Sequence, residues 1–186
     1  MTHTQAEGAR EVDWIRQAQL GDRLAYAELI RIHHQGVIGM VVRMCGDYQL
    51  AEDVAQDTFI RAWQNLPKYE PRSSLRNWLY RIAANRALDI LRRERESVDI
   101  DQLAISDHRH NPEGEVEKSE RQHAVQQAVM SLPTASRIVL VLREYEGLSY
   151  KEISETLEIP VGTVMSRLNY ARNKLTEILH ETLEGT

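Results

Sequence analysis

The stretch SYKEISETLEIPVGTVMSRLNYARNKL, residues 149–175, decides the fold of the C-terminal part of this 186-residue chain. It opens with a capping-box pattern, in which the Ser149 hydroxyl can accept from the Glu152 amide while the glutamate reaches back, so a helix is predicted to begin there. The connection Glu158–Pro160 is so short that only a sharp corner between two helices fits it. The inward residues of these two helices are Ile153, Leu157, Val164, Leu168, Ala171 and Leu175.

Two short helices around such a corner are typical of a helix-turn-helix that binds DNA. The second helix can lie in the major groove, with its first residues at base edges and its N-terminal amides at phosphates. Arg and Asn can read guanine and adenine edges, whereas Ser, Thr and Tyr commonly bind phosphate. The outward side of the predicted second helix carries Thr163, Met165, Ser166, Arg167, Asn169, Tyr170 and Arg172. The alternative interpretation is that the two helices form an ordinary corner within a helical bundle and do not bind DNA.

The N-terminal half, from Glu11 to Arg95, has apolar residues at helical spacing almost throughout. Breaks at Gly21–Asp22, Gly46–Tyr48 and Leu66–Ser74 divide it into three or four helices. The third is amphipathic, with the inward residues Ala51, Val54, Ala55, Thr58, Phe59, Ala62, Trp63 and Leu66. Its opposite face carries Glu52, Asp53, Gln56, Asp57 and Arg61.

The fourth predicted helix follows Ser73 and Ser74, either of which can cap its first turn. Its inward residues are Leu75, Trp78, Leu79, Ile82 and Ala83. A second face, again at helical spacing, carries Arg81, Asn85, Asp89 and Arg92. The sequence therefore predicts a helical bundle whose last helix presents both cationic and amide side chains.

The charge reverses sign sharply at the end of this bundle. Between Lys68 and Arg95 there are eight basic and three acidic residues, a balance of +5. Between Glu96 and Glu120 there are eight acidic and two basic residues, a balance of −6. Such a reversal indicates that one segment meets a polyanion and the next avoids or mimics one, with two solvated charge runs as the alternative. We predict an all-α fold with small helical domains at residues 11–95 and 119–183, joined by a flexible acidic linker at 96–118.

The composition excludes several classes of protein. A single cysteine, Cys45, cannot form an intramolecular disulfide or a cysteine-type zinc site, which favours a reducing compartment. The longest apolar run, Val37–Val42, is far shorter than the roughly 20 residues of a membrane span, and the N-terminus lacks a signal-peptide pattern. We therefore expect a cytoplasmic protein that does not insert into the membrane. The net charge of −5 does not exclude DNA binding, because the basic residues are locally concentrated.

Two clusters of motifs resemble the sigma factors of bacterial RNA polymerase. The C-terminal cluster combines Leu132-Pro133, Leu142-Arg143-Glu144, residues 147–153 (GLSYKEI) and residues 159–167 (IPVGTVMSR), and it resembles region 4 of the extracytoplasmic-function group. The N-terminal cluster, residues 51–59 (AEDVAQDTF) and 78–85 (WLYRIAAN), resembles regions 2.2 to 2.4. The two clusters occur in the family's order over about Val12 to Leu179. The lack of a further helical domain between them is a mark of this small group.

The resemblance implies a transcription initiation factor that directs core RNA polymerase to the −10 and −35 elements of promoters and promotes melting of the DNA. It assigns a −10 set of residues that cup a flipped base and hold the separated strand: Lys68, Tyr69, Arg72, Ser73, Ser74, Arg76, Arg81 and Asn85. Asn85 matches the family's base-reading Asn, and Trp78 is expected to pack in the core. The seven outward residues named above, Thr163 to Arg172, become the −35 set.

The resemblance also implies protein partners. The polar face Glu52, Asp53, Gln56, Asp57 and Arg61, here called the polymerase set, would dock on the clamp helices of the polymerase β′ subunit, and the β subunit is a further expected contact. The acidic linker would enter the active-site channel and the RNA exit path. An anti-sigma factor, commonly anchored in the membrane, would hold the protein inactive at the inner face of the membrane.

Two other functions would account for parts of this sequence. A stand-alone helix-turn-helix regulator would bind DNA as a dimer, but it leaves the N-terminal motif cluster without a purpose. An enzyme would need a catalytic motif, and neither a phosphate-binding glycine loop nor a zinc-protease motif is present. His33-His34 and His108-Arg109-His110 suggest surface or coil histidines rather than metal ligands. We predict no catalytic activity, no cofactor and no metal.

Overall fold

The computed structural model describes residues 3–71, 73–98 and 116–184, with the side chains of residues 9–71, 73–93 and 123–180. All regular structure in these ranges is helical, as predicted. The eight α-helices are α1 His3–Gln19, α2 Arg23–Cys45, α3 Tyr48–Asn65, α4 Leu75–Val98, α5 Val116–Ser131, α6 Thr134–Leu140, α7 Tyr150–Leu157 and α8 Val161–Glu184. A 3-10 turn, Leu66–Lys68, precedes α4, and a π-helical segment, Val141–Tyr145, continues α6. No helix within the described ranges is long and apolar enough to cross a bilayer.

The predicted breaks coincide with the ends of the helices. Gly46 caps α2 in the left-handed region, with φ at 78°, a conformation that glycine adopts without strain. Asp22 and Asp47 cap α2 and α3, because each accepts from backbone amides in the first turn of the next helix. The structure differs from the prediction at the ends of the predicted linker, residues 96–118, because α4 continues to Val98 and α5 begins at Val116. It also differs at the start of α1, which begins at His3 rather than near Glu11. Ala6 and Ala9 are strong helix formers that extend the helix without requiring a buried stripe.

Helices α1 to α4 pack into an N-terminal bundle around α2, whose middle is buried on most of its circumference. The predicted inward residues of α3 are buried, except for Trp63, which is half-buried. In α4, Leu75, Leu79 and Ala83 are buried, whereas Trp78 and Ile82 are half-buried and pack against the core. Removing these apolar side chains from water stabilises the bundle by roughly 25 cal/mol for each Å² buried.

Helices α5 to α8 form the C-terminal domain. The capping box at Ser149 and Glu152 is present, and Ile153, Val164 and Leu168 are at most 1% exposed. Ala171 is buried as well, while Leu157 and Leu175 are half-buried against the same core. Residues 158–160 form the predicted corner between α7 and α8. The C-terminal domain packs directly on the N-terminal bundle, mainly through α7 on α4 and through the π-helical segment on α2.

Candidate nucleic-acid interface

An open cleft of about 970 Å³ lies between α3 and α4 and continues under the loop that joins them. Its walls combine amide, cationic, acidic and aromatic side chains with one exposed apolar residue, Ile60. The residues that line it are Asp57, Ile60, Arg61, Gln64, Asn65, Lys68, Tyr69, Glu70, Ser73, Trp78, Arg81, Ile82, Asn85, Arg86 and Asp89. Aromatic and cationic side chains are the residue types that bind an unstacked base and its phosphates.

The loop over this cleft is held in shape by four contacts. The Gln19 amide of α1 donates to the carbonyls of Leu66 and Tyr69, at 3.1 and 2.9 Å. The Tyr69 hydroxyl donates to the Ser73 carbonyl at 2.7 Å. The rings of Tyr69 and Trp78 lie 4.8 Å apart, centroid to centroid, in a tilted arrangement. The loop is therefore fixed from α1 on one side and from α4 on the other.

The structure brings five members of the −10 set to the cleft: Lys68, Tyr69, Ser73, Arg81 and Asn85. Asn85 is exposed on α4, whereas the ring of Tyr69 is buried, with 8% of the residue exposed.

The other three members of the −10 set lie elsewhere. The Ser74 hydroxyl accepts from the Asn77 amide and so caps α4. Arg76 donates to the backbone carbonyl of Glu146 in the C-terminal domain, at 3.2 Å. Arg72 lies outside the described residues.

The polymerase set forms one side of α3, where Glu52, Asp53, Gln56 and Arg61 are exposed. Asp57 is different, because it is half-buried and accepts from two guanidinium groups. Arg61 approaches it at 3.0 Å from one helical turn away, and Arg86 of α4 approaches it at 2.8 Å. Asp57 therefore links α3 to α4 at the rim of the cleft as well as contributing to the polar face.

The −35 set lies on the outer side of α8. Thr163 and Arg167 are half-buried, and Met165, Ser166, Asn169, Tyr170 and Arg172 are exposed. The Ser166 hydroxyl donates to the Thr163 carbonyl at 3.1 Å. The Arg172 guanidinium donates to Glu144 Oε1 from both Nε and an Nη, at 3.1 and 2.6 Å, so Glu144 fixes the direction of this cation. A row of such side chains at the start of a helix fits the major groove.

The surroundings of three groups at these surfaces shift their pKa values. Hydrogen bonds from the Ser149 amide and hydroxyl, with a smaller one from Asn77, lower the pKa of Glu152 below its usual value. The hydrogen bonds to Glu144 raise the pKa of Arg172, which keeps the side chain cationic. Burial, aided by the negative charge of Glu11, raises the pKa of Tyr69, so its hydroxyl remains a donor. The capping carboxylate and the groove-facing cation are thus both held in their charged forms.

Three supporting residues escaped prediction from the sequence: Gln19, Arg86 and Glu144. Arg86 and Glu144 contact site residues that lie 29 and 28 positions away along the chain, and Gln19 reaches a loop about 50 positions away. Helical periodicity in the sequence cannot identify contacts between residues so far apart along the chain. The only available signal was the position of Arg86 directly after Asn85, on the helix already predicted to face DNA.

No group of three or more metal-ligating side chains occurs among the described residues. His33 is buried and its Nε2 lies 3.0 Å from Glu11 Oε1, so it is part of the bundle rather than a surface histidine as predicted. His34 is half-buried and stacks on Phe59, with ring centroids 5.9 Å apart. His108 and His110 lie outside the described residues, as does most of the predicted linker.

Comparison with known proteins gives two family matches, one in each half of the chain. The family described as Sigma-70 region 2 matches residues 29–97, and the family described as Sigma-70, region 4 matches residues 122–175. Among curated relatives, the RNA polymerase sigma-H factor of Pseudomonas aeruginosa is 36% identical over 180 residues, covering 91% of this chain and 93% of that protein. The ECF RNA polymerase sigma factor SigW of Bacillus subtilis is 33% identical over 178 residues, covering 90% and 95%.

Two solved structures share the fold. CnrH, determined in complex with the cytosolic domain of CnrY, has a TM-score of 0.69 at 27% identity and covers 92% of this chain and 97% of its own. The sigma factor RpoE of Bartonella quintana, determined in complex with the anti-sigma factor NepR, has a TM-score of 0.71 at 26% identity and covers 83% and 96%. The likeness extends over both helical parts of the chain.

Proposed function

The chain belongs to the sigma-70 family, in its extracytoplasmic-function group, and from this premise we propose how its residues divide the work of promoter recognition. Its function is that of a transcription initiation factor that directs RNA polymerase to promoters under the control of an anti-sigma factor. The observation that carries the division of labour is the presence of an open cleft between α3 and α4 and a helix-turn-helix in the same chain. Both parts act by binding, and neither carries out a chemical step.

The cleft between α3 and α4 receives a base of the −10 element after it has left the DNA stack. Asn85 lies at the cleft with an amide that can pair with a base edge. Arg81 and Lys68, on the same rim, neutralise phosphates of the separated strand. Unstacking a base costs a few kcal/mol, and the aromatic floor made by Trp78 offsets part of this cost by stacking.

Helix α8 reads the −35 element from the major groove. Arg167 and Asn169 are the residue types that form bidentate bonds with guanine and adenine. Arg172, held by Glu144, takes a phosphate, and Ser166 and Tyr170 are suited to the same backbone contacts. The capping box on α7 supports this role because it fixes the helix that crosses behind α8.

The exposed carboxylates Glu52 and Asp53, together with Gln56, dock on the β′ clamp helices, where basic partners complement them. The solved relatives lie in complexes with CnrY and NepR, the latter an anti-sigma factor. We extend this mode of control to the present chain, so an anti-sigma factor would cover the same surfaces until a signal releases them. The protein would then act in the cytoplasm, with any membrane attachment supplied by that partner.

Run-off transcription with bacterial core RNA polymerase on genomic fragments tests this function. New, specific start sites that depend on the protein are expected, and aligning the sequences upstream of them would define both promoter elements. Binding of the isolated protein to paired half-sites one helical turn apart, without any specific transcript, would instead favour a stand-alone regulator.

Two substitutions test the division of labour. Asn85→Ala is expected to impair open-complex formation while leaving polymerase binding intact. Gln35→Ala, at an exposed position of α2, is the control. Arg167→Ala is expected to weaken −35 recognition by about 1–3 kcal/mol. Arg31→Ala, which removes an arginine side chain from the N-terminal bundle, is the control. An equal loss of polymerase binding in Asn85→Ala and Arg167→Ala would contradict the assignment.

A further inference from the structure

Two exposed apolar side chains lie at the start of α8, the helix proposed to enter the major groove. Val161 is 42% exposed and Met165 is 48% exposed. They are four residues apart, so they lie on one face of the helix, in successive turns. Met165 belongs to the −35 set, although its side chain carries no hydrogen-bond donor.

Met165 lies outside the apolar core that the inward side of α8 completes. The inward residues are at most 1% exposed and belong to that core: Val164, Leu168 and Ala171. Met165 instead shares its face with polar members of the −35 set. Asn169 follows it by one turn and Arg172 by about two, so the three side chains form one row along the exposed side of the helix.

The neighbours of Met165 indicate how this row meets DNA. Glu144 accepts two hydrogen bonds from the Arg172 guanidinium, at 3.1 and 2.6 Å, and so fixes the direction of this cation. Gly162, in the first turn of α8, has open space beside it, because a Cβ there would meet no described atom within 4 Å. Met165 lies between Gly162 and Arg172, in the part of a recognition helix that reaches base edges.

The chemistry of a methionine side chain limits what it can contact in the groove. It has no charge with which to bind phosphate, no N–H or O–H to donate to a base edge, and a sulfur that is only a weak acceptor. The C5-methyl group of thymine is the apolar group that base pairs present in the major groove. An unbranched, polarizable side chain adapts well to such a small apolar partner.

We propose that Met165 determines part of the promoter specificity by packing on the C5-methyl group of a thymine in the −35 element. Val161, one turn earlier, extends the same apolar surface toward the start of α8. The inference rests on the proposed function, because that function places α8 in the major groove. It adds the kind of base pair that this face selects, a T·A pair with its thymine on either strand.

Removal of single methyl groups from the DNA tests this proposal. The full-length protein, assembled with bacterial core RNA polymerase, first selects binding sites from duplex DNA of random sequence. A selected duplex is then synthesised with deoxyuridine in place of thymidine at one position of the −35 element at a time, on each strand. Uracil differs from thymine only in lacking the methyl group, so the hydrogen-bonding groups of the base edge are kept.

At one thymine of the −35 element, replacement by uracil should raise the dissociation constant of the wild-type complex about three- to five-fold, the change expected for one buried methyl group. Met165→Ala should bind the thymine and uracil duplexes equally, because the contact is already lost. Met165→Leu, which keeps an apolar side chain, should retain the preference for thymine. Val125→Ala, which removes an exposed apolar side chain from α5 of the same domain, is the control and should behave as the wild type does.

Equal affinity of the wild-type complex for thymine and uracil duplexes at every −35 position would overturn the proposal. A preference for thymine that persists in full in Met165→Ala would overturn it as well, because the methyl group would then act through another side chain or through the shape of the DNA. If no sequence is enriched from the random pool, the proposed function itself fails. An enriched −35 element without sensitivity to uracil overturns only the assignment of Met165.

Discussion

At the scale of single residues, the contact between His33 Nε2 and Glu11 Oε1 joins α1 to α2 at the side of the core. The hydrogen bond from His33, reinforced by its charge, lowers the pKa of Glu11 against the opposing effect of burial. A carboxyl whose pKa is lower in the folded state stabilises the fold at pH values above its unfolded pKa, and this contribution is lost as pH falls through the folded value.

We therefore expect Glu11→Gln to flatten the acid limb of the stability profile. Urea unfolding at a series of pH values from about 6 down to about 3 should show a smaller loss of unfolding free energy in this variant than in the wild type. Glu28→Gln, which removes an exposed carboxylate paired with Arg31 within α2, is the control. If the free energy of unfolding falls equally with decreasing pH in the wild type and in Glu11→Gln, the contact between Glu11 and His33 has no role in the pH dependence of stability.

Gln19 holds the loop over the cleft in place but does not line the cleft. Its loss should therefore affect DNA binding at the cleft and no other DNA contact. Gln19→Ala removes the donor shared by the Leu66 and Tyr69 carbonyls and should cost about 1 kcal/mol of stability. It should weaken binding to single-stranded −10 DNA while leaving duplex −35 DNA unaffected. Gln17→Ala on the exposed side of the same helix is the matched control. Equal weakening for both DNA probes would show a general defect rather than a role in shaping the loop.

At the scale of elements, the capping box determines whether α7 is rigid enough to support α8. Ser149→Ala removes the acceptor of the Glu152 amide and should lower stability by about 1 kcal/mol. Ser149→Asp keeps an acceptor at the cap and should restore most of this loss. Chemical denaturation of the three proteins measures the effect. If alanine and aspartate are equally destabilising, the cap hydrogen bond is not what stabilises α7.

The element boundaries could be predicted because their causes are local. The Gly46 cap, the capping box and the corner at Pro160 each depend on side chains within four residues of the break, and all three lie where predicted. The π-helical segment Val141–Tyr145 was not predicted, because its apolar residues fit an α-helical spacing equally well. The wider turn arises in the packed structure, at the point where Tyr145 and Glu146 meet α2 and α4.

The candidate sites likewise combine features that can be predicted from the sequence with features that depend on tertiary packing. Spacing along α4 and α8 identified the outward faces, and the structure places Asn85 and Arg81 at one cleft. Pairs such as Asp57 with Arg86 join separate helices, so the periodic pattern of one helix cannot report them. The sequence thus predicts which face of a helix is functional, whereas the partners that orient its side chains depend on packing.

At the scale of the whole molecule, the two domains share one continuous apolar core, and polar contacts join them around it. These polar contacts, here called the interdomain clasp, join Glu146, Glu152 and Glu158 of the C-terminal domain to side chains of α2 and α4 that lie 66 to 103 positions away along the chain. Partly exposed pairs of this kind contribute about 1 kcal/mol or less each, far less than an apolar core. The interdomain clasp therefore adds a small contribution to the coupling that the shared apolar core provides.

We expect that weakening the interdomain clasp changes the cooperativity of unfolding. The wild-type protein should unfold in calorimetry as one main transition, because the shared apolar core and the interdomain clasp couple the two domains. Arg43→Ala, which weakens the interdomain clasp from the exposed side of α2, should separate the transition into two or broaden it, with little change in total enthalpy. Arg31→Ala, on the same helix but outside the interdomain clasp, should keep the wild-type profile. Two transitions already resolved in the wild-type protein would mean that the domains unfold independently and that the interdomain clasp contributes too little to couple them.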